Sequence, residues 1–355
     1  MTNLSRDGRA AESRNQLNVA VAGLGFMGAT HLKAWKQVAG ARVVAVMDSG
    51  ERKRSGDLRA VVGNFGGPGE MMDFSNVRKY STLEELLADS HIDAVDICLP
   101  TDQHAKSALA VLMAGKHALV EKPMTLSERE AAALLEEAKR SNRTLMVGQI
   151  LRFSPPYEAL ADALQTAGPV RSAAFRRRCA APTWSRWLTD PSRSGGGVFD
   201  LLIHDADYCI SLWGMPESVR AIGYDDLQRG IDVVHAELNY KSNAPDAVAI
   251  SGGWHHPATY PFSMDFTVVT DNSTFDWSSN DAPELREYGL GGKVTAHKLP
   301  VTDAFVAELG YFADCVINSR KPVRCPPEES AQSVALMHRI LESREQKGAS
   351  IKCRA

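Results

Sequence analysis

The most informative stretch of the chain is LNVAVAGLGFMGATHLKAWKQVAGARVVAVMD, which runs from Leu17 to Asp48. It begins with a short apolar run typical of a buried strand, and a turn with glycines at positions 23, 25 and 28 follows at once. The residues from 29 to 38 then have the apolar spacing of a helix, and a second apolar run ends on Asp48. Strand, glycine turn, helix and strand in this order predict a βαβ unit with parallel strands.

Each glycine of the turn has its own mechanical reason. Gly23 permits the tight turn, Gly25 lets the backbone approach a pyrophosphate, and Gly28 lets the helix pack closely on the strand. The helix N-terminus adds partial positive charge, and Asp48 lies where a carboxylate would accept from ribose hydroxyls. The sequence therefore predicts a dinucleotide site, to which Phe26 and Met27 of the same turn also belong. Asp48 would repel a 2′-phosphate, so NAD is the expected cofactor, with NADP as the alternative.

Length and composition limit the classes of protein that fit. With 355 residues the chain is long enough for two domains. A net charge of −3 gives no electrostatic reason to expect a nucleic-acid partner, and no apolar segment approaches the length of a membrane span. The six cysteines show no metal-binding spacing, so we expect them to be reduced, and we predict neither a metal nor a membrane partner. A polar start, residues 1–16, is expected to be a flexible tail, and the cytoplasm is the expected location.

The rest of the chain divides into two patterns. From 17 to 148 strands alternate with helices, which predicts a doubly wound parallel α/β sheet. From 149 to 355 strands follow one another with few helices between them, which predicts an α+β domain built on a mainly antiparallel open sheet. Its last helix, about 328–342, could pack back near the first domain. An open sheet with one uncovered face predicts a homodimer or homotetramer.

Three local predictions concern shorter segments. A capping box from Ser81 to Glu84 predicts the start of a short helix. Residues 57–62 are weakly helical, inside a glycine-rich excursion. Arg176, Arg177 and Arg178 are interpreted as a solvated strand face.

Ligands of open parallel sheets bind at the carboxyl ends of the strands, so the residues that follow each strand are the first candidates for a site. Besides the glycine turn and Asp48, these candidates are Pro100, Thr101, His104, Glu121, Lys122 and Gln149. Lys122 is the most specific of them, because the proline that follows it keeps its backbone extended at a strand end. Its ammonium could hydrogen-bond a substrate oxygen and stabilise developing charge. The alternative is a solvated surface lysine.

A second group of candidates lies where three glycines, 195–197, lead into a predicted helix. Asp200, His204 and Asp207 occur there at spacings that place them on one face. A carboxylate one turn from an imidazole could orient the ring and raise its pKa, as suits a histidine that transfers protons. The alternative is an ordinary helix cap with a solvated histidine.

Taken together, these motifs resemble the Gfo/Idh/MocA oxidoreductases, a family with a Rossmann domain. The resemblance rests on the glycine turn, Leu99-Pro100-Thr101 with His104, Glu121-Lys122-Pro123, Gly148-Gln149 with Arg152-Phe153, and the 195–207 stretch. It implies an NAD(P)-dependent dehydrogenase or reductase for sugars, inositols or related polyols. It also implies that Lys122, Asp200 and His204 handle protons, and that Asp207 binds substrate hydroxyls.

Further substrate-binding candidates are Arg152 and Trp187. The loop from Trp184 to Trp187 fits no subfamily pattern, so the substrate stays open, as does the choice of Lys122 or His204 for the primary proton transfer. Two other functions in the family are alternatives: an NAD-dependent glycosidase with no net redox change, and a regulator that binds the cofactor without catalysis.

Overall fold

The computed structural model describes residues 16–63, 67–241, 245, 247–281 and 283–353. Apart from residue 16, the predicted N-terminal tail lies outside the described residues, as do residues 64–66 of the glycine-rich excursion. The described residues form two sheets, one of six strands and one of nine.

The first sheet is parallel throughout, as predicted. Its strands are β1 (Leu17–Ala22), β2 (Ala41–Met47), β3 (Arg78–Tyr80), β4 (Ala94–Ile97), β5 (His117–Glu121) and β6 (Leu145–Gly148). Their spatial order is β3-β2-β1-β4-β5-β6. The helices between them are α1 (Phe26–Trp35), α2 (Glu51–Arg54), α3 (Leu83–Leu87), α4 (His104–Met113) and α5 (Glu128–Ser141). The strand order reverses between β1 and β4, which opens a crevice at the carboxyl ends of these strands.

The second sheet is mixed but mainly antiparallel, which confirms the predicted fold class. Its strands are β7 (Val170–Cys179), β8 (Ser218–Asp226), β9 (Ile231–Asn239), β10 (Ala247–Trp254), β11 (Ser263–Thr270), β12 (Ser273–Ser278), β13 (Glu284–Gly289), β14 (Val294–Lys298) and β15 (Ile351–Lys352). They lie in the order β14-β13-β12-β11-β7-β10-β9-β8-β15, and β7 with β10 is the parallel pair. The sequence did not predict β12, β13 and β14, because polar and charged residues interrupt their apolar pattern.

Helices cover one face of the second sheet and also return to the first. They are α6 (Pro155–Leu164), α7 (Pro191–Ser194), α8 (Gly196–Trp213), α9 (Ala304–Ile317) and α10 (Pro327–Glu345). The long helix α8 packs on β9 and β10, and α10 packs on β8. At the other sheet, α9 packs against α1, and α10 contacts α5 through Arg339 and Glu128, whose side chains lie 3.2 Å apart.

Several local predictions differ from the structure. Helix α1 begins at Phe26 rather than at position 29, because Gly25 is its N-cap and the end of the glycine turn forms its first turn. The capping box is shifted by one residue: Thr82 caps α3 and accepts from the Glu85 amide, while the Glu85 carboxylate accepts from the Thr82 amide. Residues 57–62 form no helix, and the short helix α2 precedes them.

In the part of the chain that the structure describes, no helix combines the length and the apolar character needed to cross a membrane.

Candidate active site

The glycine turn after β1 has the close approaches that its spacing predicted. Gly23 adopts φ +96°, and a β-carbon there would lie 2.5 Å from the Cys98 carbonyl oxygen. A β-carbon on Gly28 would lie 1.8 Å from the Gly23 carbonyl oxygen, so only glycine lets α1 sit this close to the turn. Apart from its two chain neighbours, no described residue places an atom within 4 Å of the position of a β-carbon on Gly25. The space over Gly25 is therefore open to a ligand, whereas the other two glycines are required by the fold.

Asp48, at the end of β2, is fixed beside this turn. One carboxylate oxygen accepts from the Leu24 amide at 2.9 Å, and the other accepts from the Gly50 amide at 2.8 Å. The Lys53 ammonium lies 3.3 Å from the first oxygen. Two backbone donors thus hold the carboxylate at the strand end, where it was predicted to face a ribose.

Gln149 provides a second test of the dinucleotide prediction. It follows β6 and is 1% exposed, yet both polar atoms of its side-chain amide lack a hydrogen-bond partner among the described residues. Such a buried amide costs free energy unless a ligand or water satisfies it. Together with the open space over Gly25 and the N-terminus of α1, this amide fits a bound dinucleotide.

The other predicted cofactor residues lie at the same edge of the sheet. His104 is buried and ties two loops together: its Nδ1 is 2.7 Å from the Pro123 carbonyl oxygen, and its Nε2 is 2.8 Å from the Leu99 carbonyl oxygen. Burial lowers the pKa of this histidine. Thr101 is also buried, whereas Pro100 is half-buried. Glu121 is buried at the end of β5 and accepts from the Lys122 amide at 2.9 Å. These contacts hold the loops in place.

Lys122 follows a strand of the first sheet and contacts Asp200, which lies on a helix that packs on the second sheet. The two residues are 78 positions apart in the sequence. The Lys122 Nζ atom donates to a carboxylate oxygen of Asp200 at 2.9 Å and to the backbone oxygen of Asp200 at 2.9 Å. Both side chains are only slightly exposed. This ion pair joins the carboxyl end of β5 to the second turn of α8, so two motifs found separately in the sequence come together in space.

His204 lies one turn along α8 from Asp200, but the predicted contact between them is wrong. Among the described residues, the Asp200 carboxylate pairs with Lys122, and no residue pairs with Nδ1 of His204. The predicted rise in pKa is also wrong. Burial of the ring lowers the pKa of His204 well below its usual value, and the cations Lys122 and Arg177 lower it further. The imidazole is therefore neutral at neutral pH and can accept a proton.

Arg152 and Asp207, two predicted substrate residues, pair with each other. The Asp207 carboxylate accepts from Nε and Nη2 of Arg152 at 2.7 and 2.8 Å and from the Ser333 hydroxyl at 2.9 Å. Both members of the pair are buried. Trp187, the other predicted substrate residue, is half-buried in the segment between β7 and α7.

Arg177 is a residue whose environment the sequence did not predict. It was interpreted as solvated, but it is 2% exposed and donates to the buried Asp205 carboxylate at 2.9 and 3.0 Å. The alternation of β7 could have indicated this, because positions 173, 175, 177 and 179 are all buried. Arg176 and Arg178, on the other face, both donate to Asp265.

A further buried group connects α1 with β4. His31 contacts Asp96 and Cys98. One nitrogen, oxygen or sulfur atom from each of the three residues lies within 4.8 Å of the others, a spacing that would also suit the ligands of a metal ion. The hydrogen bond from Trp35 Nε1 to Asp96 at 2.8 Å and the contact of His31 with the same carboxylate account for this arrangement without an ion.

Comparison with known proteins places both sheets in one family. Residues 17–149 match the family model described as "Oxidoreductase family, NAD-binding Rossmann fold", and residues 165–352 match "Oxidoreductase family, C-terminal alpha/beta domain". The two matches cover most of the chain and agree with the resemblance seen in the sequence.

Several of the named relatives are dehydrogenases. A D-xylose 1-dehydrogenase (NADP(+)) of Haloferax volcanii is 30% identical over 77% of this chain and 84% of its own. A scyllo-inositol 2-dehydrogenase (NAD(+)) of Bacillus subtilis is 28% identical over 87% of this chain and 89% of its own. Among solved structures, a levoglucosan dehydrogenase in complex with NADH and levoglucosan has a TM-score of 0.82 at 18% identity, covering 96% of this chain and 100% of that one, which shows the shared fold. The chain belongs to the Gfo/Idh/MocA family of NAD(P)-dependent oxidoreductases.

Proposed function

We propose that this oxidoreductase interconverts a secondary hydroxyl group and a ketone on a sugar, an inositol or a related polyol. The observation that supports the proposal most directly is the ion pair between Lys122 and Asp200, which lies at the carboxyl end of β5 and close enough to His204 to influence its charge. The names of the relatives, which include xylose and inositol dehydrogenases, support the substrate class.

The roles of the chain's own residues follow from their contacts. Asp200 holds the Lys122 ammonium by its carboxylate and its backbone oxygen, which leaves a third N–H for a substrate oxygen. That donor stabilises negative charge on the oxygen as its proton leaves. His204 is neutral, so it can take the proton during oxidation and return it during reduction. When bound, the nicotinamide supplies the chemistry of hydride transfer.

The other substrate candidates keep narrower roles. Trp187 remains a predicted substrate contact. Asp207 could accept from a substrate hydroxyl only with the lone pairs that Arg152 and Ser333 leave free. We expect Arg152 and Asp207 to contribute mainly by fixing α8 relative to the segment after β6.

The decisive experiment is a screen of cyclic polyols, sugars and keto-sugars with NAD and NADP in both directions, following the absorbance of the reduced nicotinamide. Substrate-dependent formation or loss of reduced cofactor is the expected result. Cleavage of an aryl glycoside without net change in the cofactor would support the redox-neutral glycosidase instead. Tight cofactor binding with no turnover of any substrate would support a non-catalytic regulator.

A further inference from the structure

We propose that His31, on the cofactor-binding helix α1, is a positioning residue for Lys122 and acts through Glu121. The inference rests on the proposed function, in which Lys122 contacts the substrate oxygen. It is carried by a continuous set of buried contacts that connects the two residues, which lie on neighbouring elements of the first domain.

The first contact of this set fixes the histidine ring. His31 is fully buried, and its Nδ1 lies 2.9 and 3.1 Å from the two carboxylate oxygens of Asp96. Asp96 also accepts from Trp35 Nε1 at 2.8 Å. Because an ionised carboxylate only accepts hydrogen bonds, Nδ1 carries a proton and donates it to Asp96. The ring orientation is thereby set, and its Nε2 atom is directed away from Asp96.

The second contact connects the ring to the segment that carries the lysine. His31 Nε2 lies 3.1 Å from Oε1 of Glu121, and Oε2 of Glu121 accepts from the Lys122 amide at 2.9 Å. The protonated ring and the carboxylate form a buried ion pair at this distance, and Nε2 makes no hydrogen bond among the described residues. His31 thus fixes one oxygen of Glu121, and the other oxygen fixes the peptide group of Lys122.

The charges around His31 support this arrangement. Burial acts to lower the pKa of His31, but the Asp96 carboxylate and Cys98 raise it well above its usual value, so the ring is an imidazolium. Glu308 of α9 is also fully buried, and its pKa is raised well above the usual value, first by burial and then by the charge of Glu121. Glu308 is therefore neutral, and the His31 ring pairs with the carboxylate of Glu121 on this side.

Lys122 is then restrained from both ends. Its peptide group is held by Glu121, and its ammonium is held by Asp200. Helix α1 begins at Phe26, in the glycine turn, and carries His31 in its second turn. The helix whose N-terminus faces the predicted pyrophosphate thus also places the lysine, and misplacement of such a group by about 1 Å can cost on the order of 100-fold in rate.

Two substitutions of His31 separate this role from a structural one. A glutamine amide reaches about as far as Nε2, whereas an asparagine amide reaches only to the place of Nδ1. His31→Gln should therefore replace the ring cation with an amide N–H donor beside Glu121 and lower kcat by less than His31→Asn does. His31→Asn should keep only the contact with Asp96 and lower kcat roughly 10- to 100-fold. Affinity for NADH and thermal stability should be similar in the two variants.

Trp35→Phe is the matched control, because it removes another donor to Asp96 without touching Glu121. It should leave kcat near the parental value. If His31→Asn were tolerated and His31→Gln were not, or if Trp35→Phe lost as much kcat as His31→Asn, the histidine would only be stabilising Asp96 and the proposal would be overturned.

Substitutions of Glu121 keep the proposal testable if a His31 variant does not fold. Glu121→Gln retains an acceptor oxygen for the Lys122 amide, so it should retain more turnover than Glu121→Ala. Adding His31→Asn to Glu121→Ala should lower kcat no further, because each substitution by itself already removes the contact from His31 through Glu121 to Lys122. Full additivity would contradict the proposal.

The variant Lys122→Met is measured in parallel to separate this inference from the proposed function. If Lys122→Met kept its turnover, the proposed function itself would fail. If Lys122→Met lost turnover while His31→Asn kept it, only the inference about His31 would be refuted.

Discussion

At the scale of single residues, the site depends on two charges that the sequence places far apart. Lys122 lies 2.9 Å from Asp200, and burial, together with the same ammonium, lowers the pKa of His204. In the proposed mechanism, the cation that binds the substrate oxygen therefore also helps to keep the neighbouring imidazole neutral. This double effect makes substitutions of Lys122 and His204 informative about chemistry rather than about cofactor binding.

Lys122→Met and His204→Asn should therefore lower turnover far more than they lower affinity for NADH. Loss of a positioned proton-transfer group costs roughly 10²- to 10⁴-fold, and loss of a charged donor to an oxyanion costs a comparable amount. Steady-state kinetics on the substrate found in the screen, with NADH affinity by fluorescence, measure the two effects. Near-parental turnover in both variants would remove these residues from the mechanism.

A second prediction at this scale concerns cofactor choice. Asp48 is held by the Leu24 and Gly50 amides, so it cannot turn away readily to admit a 2′-phosphate, and NAD should bind more tightly than NADP. Asp48→Ser removes the negative charge and leaves Lys53 and Arg54 nearby. We expect that variant to shift preference toward NADP by tenfold or more, about 1.4 kcal/mol. Titration of both cofactors against parent and variant checks this, and tighter NADP binding by the parent would contradict it.

At the scale of elements, the turn between β1 and α1 separates glycines that serve the ligand from glycines that serve the fold. Gly25→Val should fold normally but lose most of its affinity for cofactor, because the side chain enters the open space over the turn. Gly28→Val should instead reduce thermal stability, because its β-carbon would overlap the Gly23 carbonyl oxygen. Calorimetry and NADH titration distinguish the two. A Gly25→Val protein that bound cofactor normally would place the pyrophosphate elsewhere.

Strand β5 supplies a prediction about pH. His117 Nδ1 accepts from the Thr144 amide at 3.0 Å, which ties the start of β5 to the segment before β6. Burial, aided by Arg143, lowers the pKa of His117 from 6.5 to about 4. Between these pH values the unfolded chain binds a proton that the folded chain does not, so this residue's contribution to stability falls as the pH falls from 6.5 toward 4.

Replacing this group should therefore flatten the pH dependence of stability. His117→Asn keeps an acceptor for the Thr144 amide but cannot titrate. Urea unfolding across the same window should show a smaller loss of stability in the variant than in the parent. Parallel curves for the two proteins would show that His117 does not titrate between folded and unfolded states in this range.

At the scale of the whole molecule, one face of the nine-stranded sheet carries exposed apolar side chains. Ile222 and Tyr224 of β8 are 61% and 60% exposed, and Tyr288 and Val294 lie on the far strands β13 and β14. Helices α8 and α10 pack on the other face. We expect two copies of the chain to pair through this face, which would remove the apolar side chains from water.

Ile222→Lys should therefore weaken the oligomer by about 2 kcal/mol or more, which is about 30-fold in Kd. Met113→Lys changes an equally exposed side chain on α4, away from this sheet, and should leave the assembly unchanged. Light scattering over a range of protein concentrations measures the mass. A monomeric parent at micromolar concentration would refute the expectation.

What the sequence determined by itself is local. The period and glycine spacing of residues 17–48 were enough to predict a strand, a turn and a helix, with a dinucleotide site at the turn. The alternation of strands and helices up to residue 148 then predicted the parallel sheet. The same holds for helix α9 (Ala304–Ile317), because the apolar residues at positions 305, 309, 312 and 316 recur at helical spacing. The strands β12 to β14 were missed because their pattern is weak and pairing with neighbours stabilises them.

The tertiary structure alone decided which charged groups meet. The sequence placed Asp200 beside His204 by helical spacing, but in the fold the Asp200 carboxylate pairs with Lys122 at 2.9 Å. His204 is left buried near two cations, Lys122 and Arg177. In the same way, Arg152 meets Asp207, and His31 meets Asp96 and Glu121. Buried charges act over distances and pairings that only packing sets, so neither the pairs nor the sign of the His204 pKa shift could be derived from spacing along the chain.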